Sequence, residues 1–400
     1  MIAAFEPCRL SGSVDAPPSK SMAHRYLIGA ALSGEICRMS GFDYSEDILA
    51  SIDCLRALGA QVMIERDCVT VDPAGFMKAE SPVLACRESG STLRFFIPLT
   101  LCLGREVIMK GSQRLLERPL DIYEALCREN DFAFEKAESG LRLCGNLKSG
   151  TYTVRGDISS QFITGLMFAL VHLGEDAAIE ITPPFESRSY VDLTIDALRS
   201  FGADVGFAGA YRIEIRKSKM HAYHGRVEGD YSNAAFLDAF NHIGSHVCVG
   251  NLKKDSLQGD RVYAQYFQRI SEGTPVLDIS DCPDLGPVLF ALAALKNGAK
   301  FTGTDRLKAK ESDRGMAMHE ELEKLGGGLV FGDNVITVPK QTLLGTEQTL
   351  SGHNDHRIVM AMSLILSQIG GTIDEAQAVK KSYPGFFEDI KRLGAKVEII

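Results

Sequence analysis

Two arrangements of apolar and polar positions recur along this chain. In the first, a stretch that is apolar on nearly every helical face follows a short polar loop. It appears at Pro17 to Leu32, Glu88 to Leu103, Asp157 to Leu173, Gly229 to Ile243, Asp281 to Leu295 and His353 to Leu366. An all-round apolar pattern leaves no face for water, so it predicts buried helices. In the second, apolar residues recur at helical spacing, the pattern stops at a Gly, and two short alternating stretches separated by a turn follow. Ala50 to Val71 (Leu-Arg-Ala-Leu-Gly-Ala-Gln-Val), Ala197 to Ile215 (Leu-Arg-Ser-Phe-Gly-Ala-Asp-Val), Glu321 to Val338 and Asp389 to Ile400 all read this way. They predict one-sided helices that coat the outside, each leading into a pair of strands.

The helix stops at Gly59, Asn130, Gly202, Gly273, Gly326 and Gly394 are mostly roughly 70 residues apart, too long for a solenoid and right for a repeated supersecondary unit. The copies ending at Asn130 and Gly273 are weaker, and the step from Gly273 to Gly326 is trimmed. The last copy reaches Ile400 after one strand of its pair, so the chain's start, Ala3 to Leu10, is expected to supply the other. An α/β chain of two domains follows: residues 1–13 with 225–400, and the continuous piece 14–224, with crossings near 13–14 and 224–226. Two crossings at one boundary make a hinge, and a cleft between hinged domains is a common ligand site.

Composition narrows the function. At 400 residues, 45% hydrophobic and 24% charged, the chain exceeds one ordinary domain. No run approaches the ~18 to 20 apolar residues of a membrane span. Met1 to Glu6 lacks a basic stretch leading into a long apolar one. An untargeted, cytoplasmic protein without a membrane partner is expected. Ten cysteines are scattered singly with no Cys-x-x-Cys; Cys37, Cys102 and Cys127 sit in apolar patterns, which fits reduced, buried thiols. A net charge of -9 argues against nucleic acid as a partner, so an anionic ligand must be held by a local cluster of cations. No nucleotide-binding glycine motif, metal-ligand spacing or Ser-His-Asp pattern is present, and neither a cofactor nor a metal is expected.

The chemistry lies in the polar loops. A helix N-terminus presents unpaired N–H groups and the positive end of its dipole, so several aimed at one place make an anion cradle. In Pro17-Pro18-Ser19-Lys20-Ser21-Met22-Ala23-His24-Arg25 a serine caps the helix, and Arg25 lies one turn from Ser21. Alone, this loop reads as an ordinary capped helix. Glu88-Ser89-Gly90-Ser91-Thr92-Leu93-Arg94 and Asp157-Ile158-Ser159-Ser160-Gln161 open two more apolar helices. Capping explains their serines but not Arg94 and Gln161, since a lone charge is costly to bury. The later loops mix acids and bases: Asp281 to Asp284, Lys308 to Arg314 and Asn354 to Arg357. Lys308, Lys310 and Asp313 read equally well as a solvated face. Asp284, Glu311, His356 and Arg357 sit beside apolar helix starts, which favours function.

These motifs carry a resemblance. Ser-Lys-Ser-x-x-x-Arg, Ser-Gly-Ser-Thr-x-Arg, Glu-Arg-Pro (Glu117 to Pro119), Ser-Ser-Gln-Phe, Ser-Arg-Ser-Tyr (Ser187 to Tyr190), Lys-Glu-Ser-Asp-Arg, Asp-His-Arg and Lys-Ser-Tyr-Pro (Lys381 to Pro384) occur in order. Over essentially its whole length the chain resembles the 5-enolpyruvylshikimate-3-phosphate synthase family of the shikimate pathway. The resemblance implies a two-domain inside-out α/β barrel of six βαβαββ units, three per domain, with buried parallel helices, and a monomer. It implies transfer of the enolpyruvyl group of phosphoenolpyruvate to the 5-hydroxyl of shikimate-3-phosphate. Lys20, Gly90, Arg118, Gln161, Arg314, Arg357 and Lys381 would surround phosphoenolpyruvate. Lys20, Ser21, Arg25, Ser159, Ser160, Gln161, Ser187, Tyr190, Asp284 and Lys310 would hold shikimate-3-phosphate. Asp284, with Lys20, would act as base and Glu311 as acid, and the room beside Gly90 implies sensitivity to glyphosate. Glu88 and Arg306 stand where many members have Asn. The alternatives are the related transferase acting on a UDP-linked N-acetylglucosamine, and a catalytically silent phosphosugar-binding protein.

Overall fold

A computed structural model describes residues 1–137 and 140–400. The chain divides into two compact units, Pro18–Glu228 and a discontinuous one of Met1–Pro17 with Gly229–Ile400. The crossings fall a few residues beyond 13–14 and 224–226. The cause is the strand Ser11–Asp15, which pairs in parallel with His246–Gly250 and keeps the chain in the first-and-last unit up to Pro17.

In Pro18–Glu228, three apolar helices are buried: Lys20–Leu32, Gly90–Leu101 and Ser160–Leu173. Phe95, Phe96, Phe162 and Phe168 are all under 2% exposed, and each phenyl ring so buried contributes about 2–3 kcal/mol. The one-sided helices Glu46–Ala57, Asp121–Glu129 and Arg188–Ser200 carry the polar faces. The other unit repeats the division. Tyr231–Asp238, Gly286–Leu295 and His356–Ile369 are buried, while Tyr263–Glu272, Arg314–Glu323 and Phe386–Arg392 show mixed faces.

Three sheets share one plan. Val83–Ala85, Val107–Lys110, Gly140–Cys144 and Ala133–Ala137 lie side by side in that order, paired parallel, antiparallel, antiparallel. Thr151–Arg155, Ala177–Thr182, Arg212–Arg216 and Asp204–Phe207 repeat it, as do Val276–Asp278, Ala299–Thr302, Val335–Val338 and Val330–Gly332.

The chain's start forms the middle strand of a three-stranded sheet. Ala3–Phe5 pairs antiparallel with Gly371–Ile373 on one side and Val397–Ile399 on the other. The strand is shorter than Ala3 to Leu10 because Pro7 has no N–H to give a neighbour. Two helix stops also differ from the reading. Gly59, Gly202, Gly326 and Gly394 take left-handed φ of 79° to 103°, but at Asn130 that conformation passes to Asp131 (φ 56°), and Gly273 is extended at φ −178°. All ten cysteines are free thiols; Cys37 and Cys127 are buried, Cys102 is partly buried and Cys248 is exposed. Among the described residues no helix is long and apolar enough to cross a membrane.

Candidate active site

The expected site residues fall into two groups, one per unit. In Pro18–Glu228 they cluster at three helix starts. Ser19 caps Lys20–Leu32 by accepting the Met22 N–H at 3.4 Å. Ser89 caps Gly90–Leu101 through Thr92 N–H at 3.2 Å, and Ser159 caps Ser160–Leu173 through Gln161 N–H at 3.3 Å. With the caps filled, the first-turn side chains are free to be positioned by others.

Lys20 donates to Asp47 Oδ2 at 2.7 Å, so its ammonium is held on the start of the Glu46–Ala57 helix. Arg25 is 3% exposed. Its Nε donates to Thr194 Oγ1 at 2.8 Å, and its terminal nitrogens donate to the Ser21 carbonyl at 2.6 Å and the Tyr190 carbonyl at 2.8 Å. Burial lowers its pKa to about 10, with the Tyr190 hydroxyl acting the other way. The same guanidinium therefore fastens Ser21 to the Arg188–Ser200 helix. Ser187, fully buried, opens that helix in a left-handed conformation (φ 54°), a strain of about 1–2 kcal/mol for a residue with a Cβ.

Gln161 is aimed from both ends of its amide. Arg94 donates to Oε1 at 2.7 Å, and Nε2 donates to Ser91 Oγ at 3.0 Å. Arg94 also donates to the Pro119 carbonyl at 3.1 Å and stacks over Phe162 at 5.2 Å. Arg118, 7% exposed, lies against the Gly90 backbone; a Cβ at Gly90 would stand 2.7 Å from Arg118 Nη1. Only glycine lets that guanidinium reach the start of the helix.

The other unit brings together Asp284, Lys310, Glu311, Arg314 and Arg357. Arg314, 1% exposed, donates from Nη1 to Asp284 Oδ1 at 2.8 Å, from Nη2 to Glu311 Oε2 at 2.6 Å and from Nε to Asp355 Oδ2 at 2.9 Å. Lys310 Nζ reaches Asp284 Oδ1 at 3.1 Å, and Arg357 Nη2 reaches Asp284 Oδ2 at 3.2 Å. Lys381 donates to the Asn354 carbonyl at 2.5 Å.

The electrostatics follow from this crowding. Burial opposes ionisation of Asp284, but Arg357, Lys310 and Arg314 outweigh it and hold the carboxyl well below its usual range. Burial brings Lys310 down to about 8, against the pull of Asp284 and with a push from Arg314 and Arg306. For Arg314, burial disfavours the charge, yet Asp355, Glu311 and Asp284 raise its proton affinity. Arg306 is thus a second cation bearing on Lys310, and its Nη1 lies 3.4 Å from the Ser280 carbonyl.

Two carboxylates that matter were not singled out from the sequence. Asp47 reads as an acid in the first turn of an outer helix, and its link to Lys20 spans 27 positions. Asp355 reads as a helix cap, which it is: it accepts Arg357 N–H at 2.9 Å. It also takes Ser312 Oγ at 3.1 Å and Arg314, and is fully buried. The structure further gathers Glu320, Glu321 and His353, whose ligand atoms lie within 4.8 Å of one another. Glu321 already accepts Lys324 Nζ at 2.9 and 2.7 Å, Ser351 N–H at 2.8 Å and lies 2.8 Å from His353 Nε2, so this cluster is an ion-paired clasp on the Ser351 to His353 loop.

Chemically, the first group offers helix N-termini, hydroxyls, an amide and fixed cations, which is an anion cradle. The second offers three carboxylates on one guanidinium, two of them, Asp284 and Glu311, less deeply buried than Asp355, an arrangement able to move protons beside bound anions. The family model for EPSP synthase (3-phosphoshikimate 1-carboxyvinyltransferase) matches residues 6–390. A 3-phosphoshikimate 1-carboxyvinyltransferase of Clostridium kluyveri is 39% identical, covering 98% of this chain and 97% of that protein. One from Clostridium perfringens is 37% identical over 97% of each. Among solved structures, an EPSP synthase from Acinetobacter baumannii superposes with a TM-score of 0.79 at 21% identity, over 99% of both chains, a likeness of fold.

Proposed function

This chain belongs to the EPSP synthase family, and on that premise we propose that the side chains described above carry out enolpyruvyl transfer from phosphoenolpyruvate to the 5-hydroxyl of shikimate-3-phosphate. The reaction releases phosphate and belongs to the shikimate pathway of aromatic amino-acid biosynthesis. The observation that carries the assignment of roles is the single guanidinium of Arg314 shared by Asp284 and Glu311.

Asp284 is the base that takes the proton of the attacking hydroxyl, with Lys20 assisting, and Glu311 is the acid that protonates the methylene carbon of phosphoenolpyruvate. The new C–O bond gives a tetrahedral intermediate, which collapses with loss of phosphate. Arg314 supports both roles by what it exchanges. Without substrate it pairs with both carboxylates and helps hold Asp284 ionised; when the anionic groups of phosphoenolpyruvate draw on Arg314 and Arg357, both carboxylates lose part of their cationic support. Asp284 then becomes a stronger base, and Glu311 is released from its ion pair with Arg314 to serve as the acid.

Lys20, the Gly90 backbone, Arg118, Gln161, Arg314, Arg357 and Lys381 are assigned to phosphoenolpyruvate. Lys20, Ser21, Arg25, Ser159, Ser160, Gln161, Ser187, Tyr190, Asp284 and Lys310 are assigned to shikimate-3-phosphate. Fixed donors in a water-poor site cost no reorganisation during the reaction. The shared strand order of three sheets supports six βαβαββ copies, three per unit, around buried helices. A cytoplasmic monomer acting without metal or organic cofactor completes the reading.

The test is phosphate release that requires both phosphoenolpyruvate and shikimate-3-phosphate. A folded chain that turns over neither the pair nor its product in reverse contradicts the assignment. Lys310 adds a pH signature. With its pKa brought down to about 8 by burial, the ammonium is present below that value and lost above it. The expected kcat/KM for shikimate-3-phosphate therefore declines above about pH 8, about tenfold per unit, and Lys310→Arg moves the decline to higher pH. An alkaline limb unmoved in Lys310→Arg removes this residue from the site.

A further inference from the structure

Beneath the helix starts of Pro18–Glu228 runs a buried hydrogen-bonded chain that none of the assigned roles uses. On Lys20–Leu32, His24 lies one turn after Lys20; on Glu46–Ala57, Ser51 lies one turn after Asp47. That spacing puts each pair on one helix face. The four residues make two rungs between the same helices: Lys20 Nζ to Asp47 Oδ2 at 2.7 Å, and His24 Nδ1 with Ser51 Oγ at 2.8 Å. Ser51 Oγ is also 2.8 Å from Thr92 Oγ1. The Thr92 hydroxyl in turn lies 2.8 Å from Ser89 Oγ and 3.4 Å from the Asp47 carbonyl. The chain ends on the cap of the Gly90–Leu101 helix, since Ser89 also accepts Thr92 N–H.

This arrangement is expensive for mere filling. His24, Ser51, Thr92 and Ser89 are each at most 1% exposed, and apolar groups of similar shape would pack there without needing partners. Capping requires Ser89 alone. His24 Nε2 is buried without a hydrogen-bond partner, and the ring stands edge-on to Phe95 at 6.1 Å. Burial, then Lys20 and Arg25, keep the imidazole neutral. An imidazole kept in apolar surroundings for a single bond at Nδ1 points to what that bond aligns.

We propose that His24, Ser51 and Thr92 are positioning residues that fix the Lys20 ammonium relative to the Gly90 helix start. They thereby set the two halves of the phosphoenolpyruvate cradle in register. The proposal rests on the assignment of Lys20 and Gly90 to that substrate. None of the three touches substrate; they act through Asp47 and Ser89, whose own contacts carry the alignment outward.

The test compares Ser51→Ala, Thr92→Val and Thr92→Ser in the full chain, with kcat and both KM values measured and thermal melting confirming the fold. Ser51→Ala and Thr92→Val are each expected to raise the KM for phosphoenolpyruvate at least about fivefold, the scale of one lost neutral hydrogen bond. The KM for shikimate-3-phosphate, which is assigned Lys20 but not Gly90 and has many other partners, rises less than that for phosphoenolpyruvate, and Thr92→Ser, which restores the hydroxyl, behaves as wild type. The double variant Ser51→Ala/Thr92→Val is no worse than the worse single one, because residues in one network do not act independently. A phosphoenolpyruvate KM within twofold of wild type in Ser51→Ala overturns the proposal, as does an equal rise for both substrates or failure of Thr92→Ser to restore it. Ser51→Ala decides the matter if Thr92→Val does not fold. Lys20→Ala separates the two levels: an unchanged phosphoenolpyruvate KM there contradicts the cradle assignment itself.

Discussion

Glu311→Gln is expected to lower kcat by at least about 100-fold, the scale of losing a general acid, while shikimate-3-phosphate still binds within about threefold of wild type. The amide keeps the size of the side chain and can still accept from Arg314, whose Nη2 lies 2.6 Å from Glu311 Oε2. What disappears is a proton that can move to carbon. Single-turnover phosphate release measures the chemical step directly, and calorimetry measures binding. Turnover within threefold of wild type would remove Glu311 from the acid role. Glu311→Ala should fall at least as far in kcat and in addition loosen Arg314.

Asp284→Asn separates chemistry from binding in the opposite sense. Loss of the base lowers kcat by about 100- to 10,000-fold. The affinity for phosphoenolpyruvate, measured by calorimetry, should stay level or rise. In the substrate-free site Asp284 occupies Arg314 at 2.8 Å, Arg357 at 3.2 Å and Lys310 at 3.1 Å, so it competes with an incoming anion for the same cations. Neutralising it leaves that cationic cluster short of one negative charge, which lowers the melting temperature in the absence of ligand and makes phosphoenolpyruvate the natural replacement. A variant that binds phosphoenolpyruvate ten times more weakly would contradict the exchange and recast Asp284 as a structural support.

How far these roles could be read beforehand depended on whether the signal was local. The six buried helices were legible because an all-round apolar run such as Ser160–Leu173 has few other uses. In the loops, Arg94 and Gln161 stand out because polar groups open otherwise apolar helices, whereas Lys20 and Arg314 take their proposed roles from the family resemblance. Asp47 and Asp355 escaped notice for a physical reason: an acid at a helix start already has a sufficient local explanation in the dipole and the cap. Their second task, holding Lys20 and Arg314, comes from partners 27 and 41 positions away. Ser11–Asp15 likewise carries no mark of its pairing with His246–Gly250, and that pairing shifts the domain boundary to Pro17. Arg25 shows the converse, since its three contacts to Thr194, Ser21 and Tyr190 make it as much a fastener between two helices as a cation awaiting a phosphate.

The strand Ala3–Phe5, seated between Gly371–Ile373 and Val397–Ile399, imposes an order on biosynthesis. These residues are among the last to find their neighbours, because both partners are made some 370 residues later. At about 5–20 residues per second the wait is about 20–80 s. Pro18–Glu228, continuous in sequence, has no such delay and is expected to acquire protease resistance while synthesis continues. Limited proteolysis of ribosome-bound chains halted near residue 380 should therefore spare that segment and cut the other; equal resistance of both would show that the unit closes before its central strand has both neighbours.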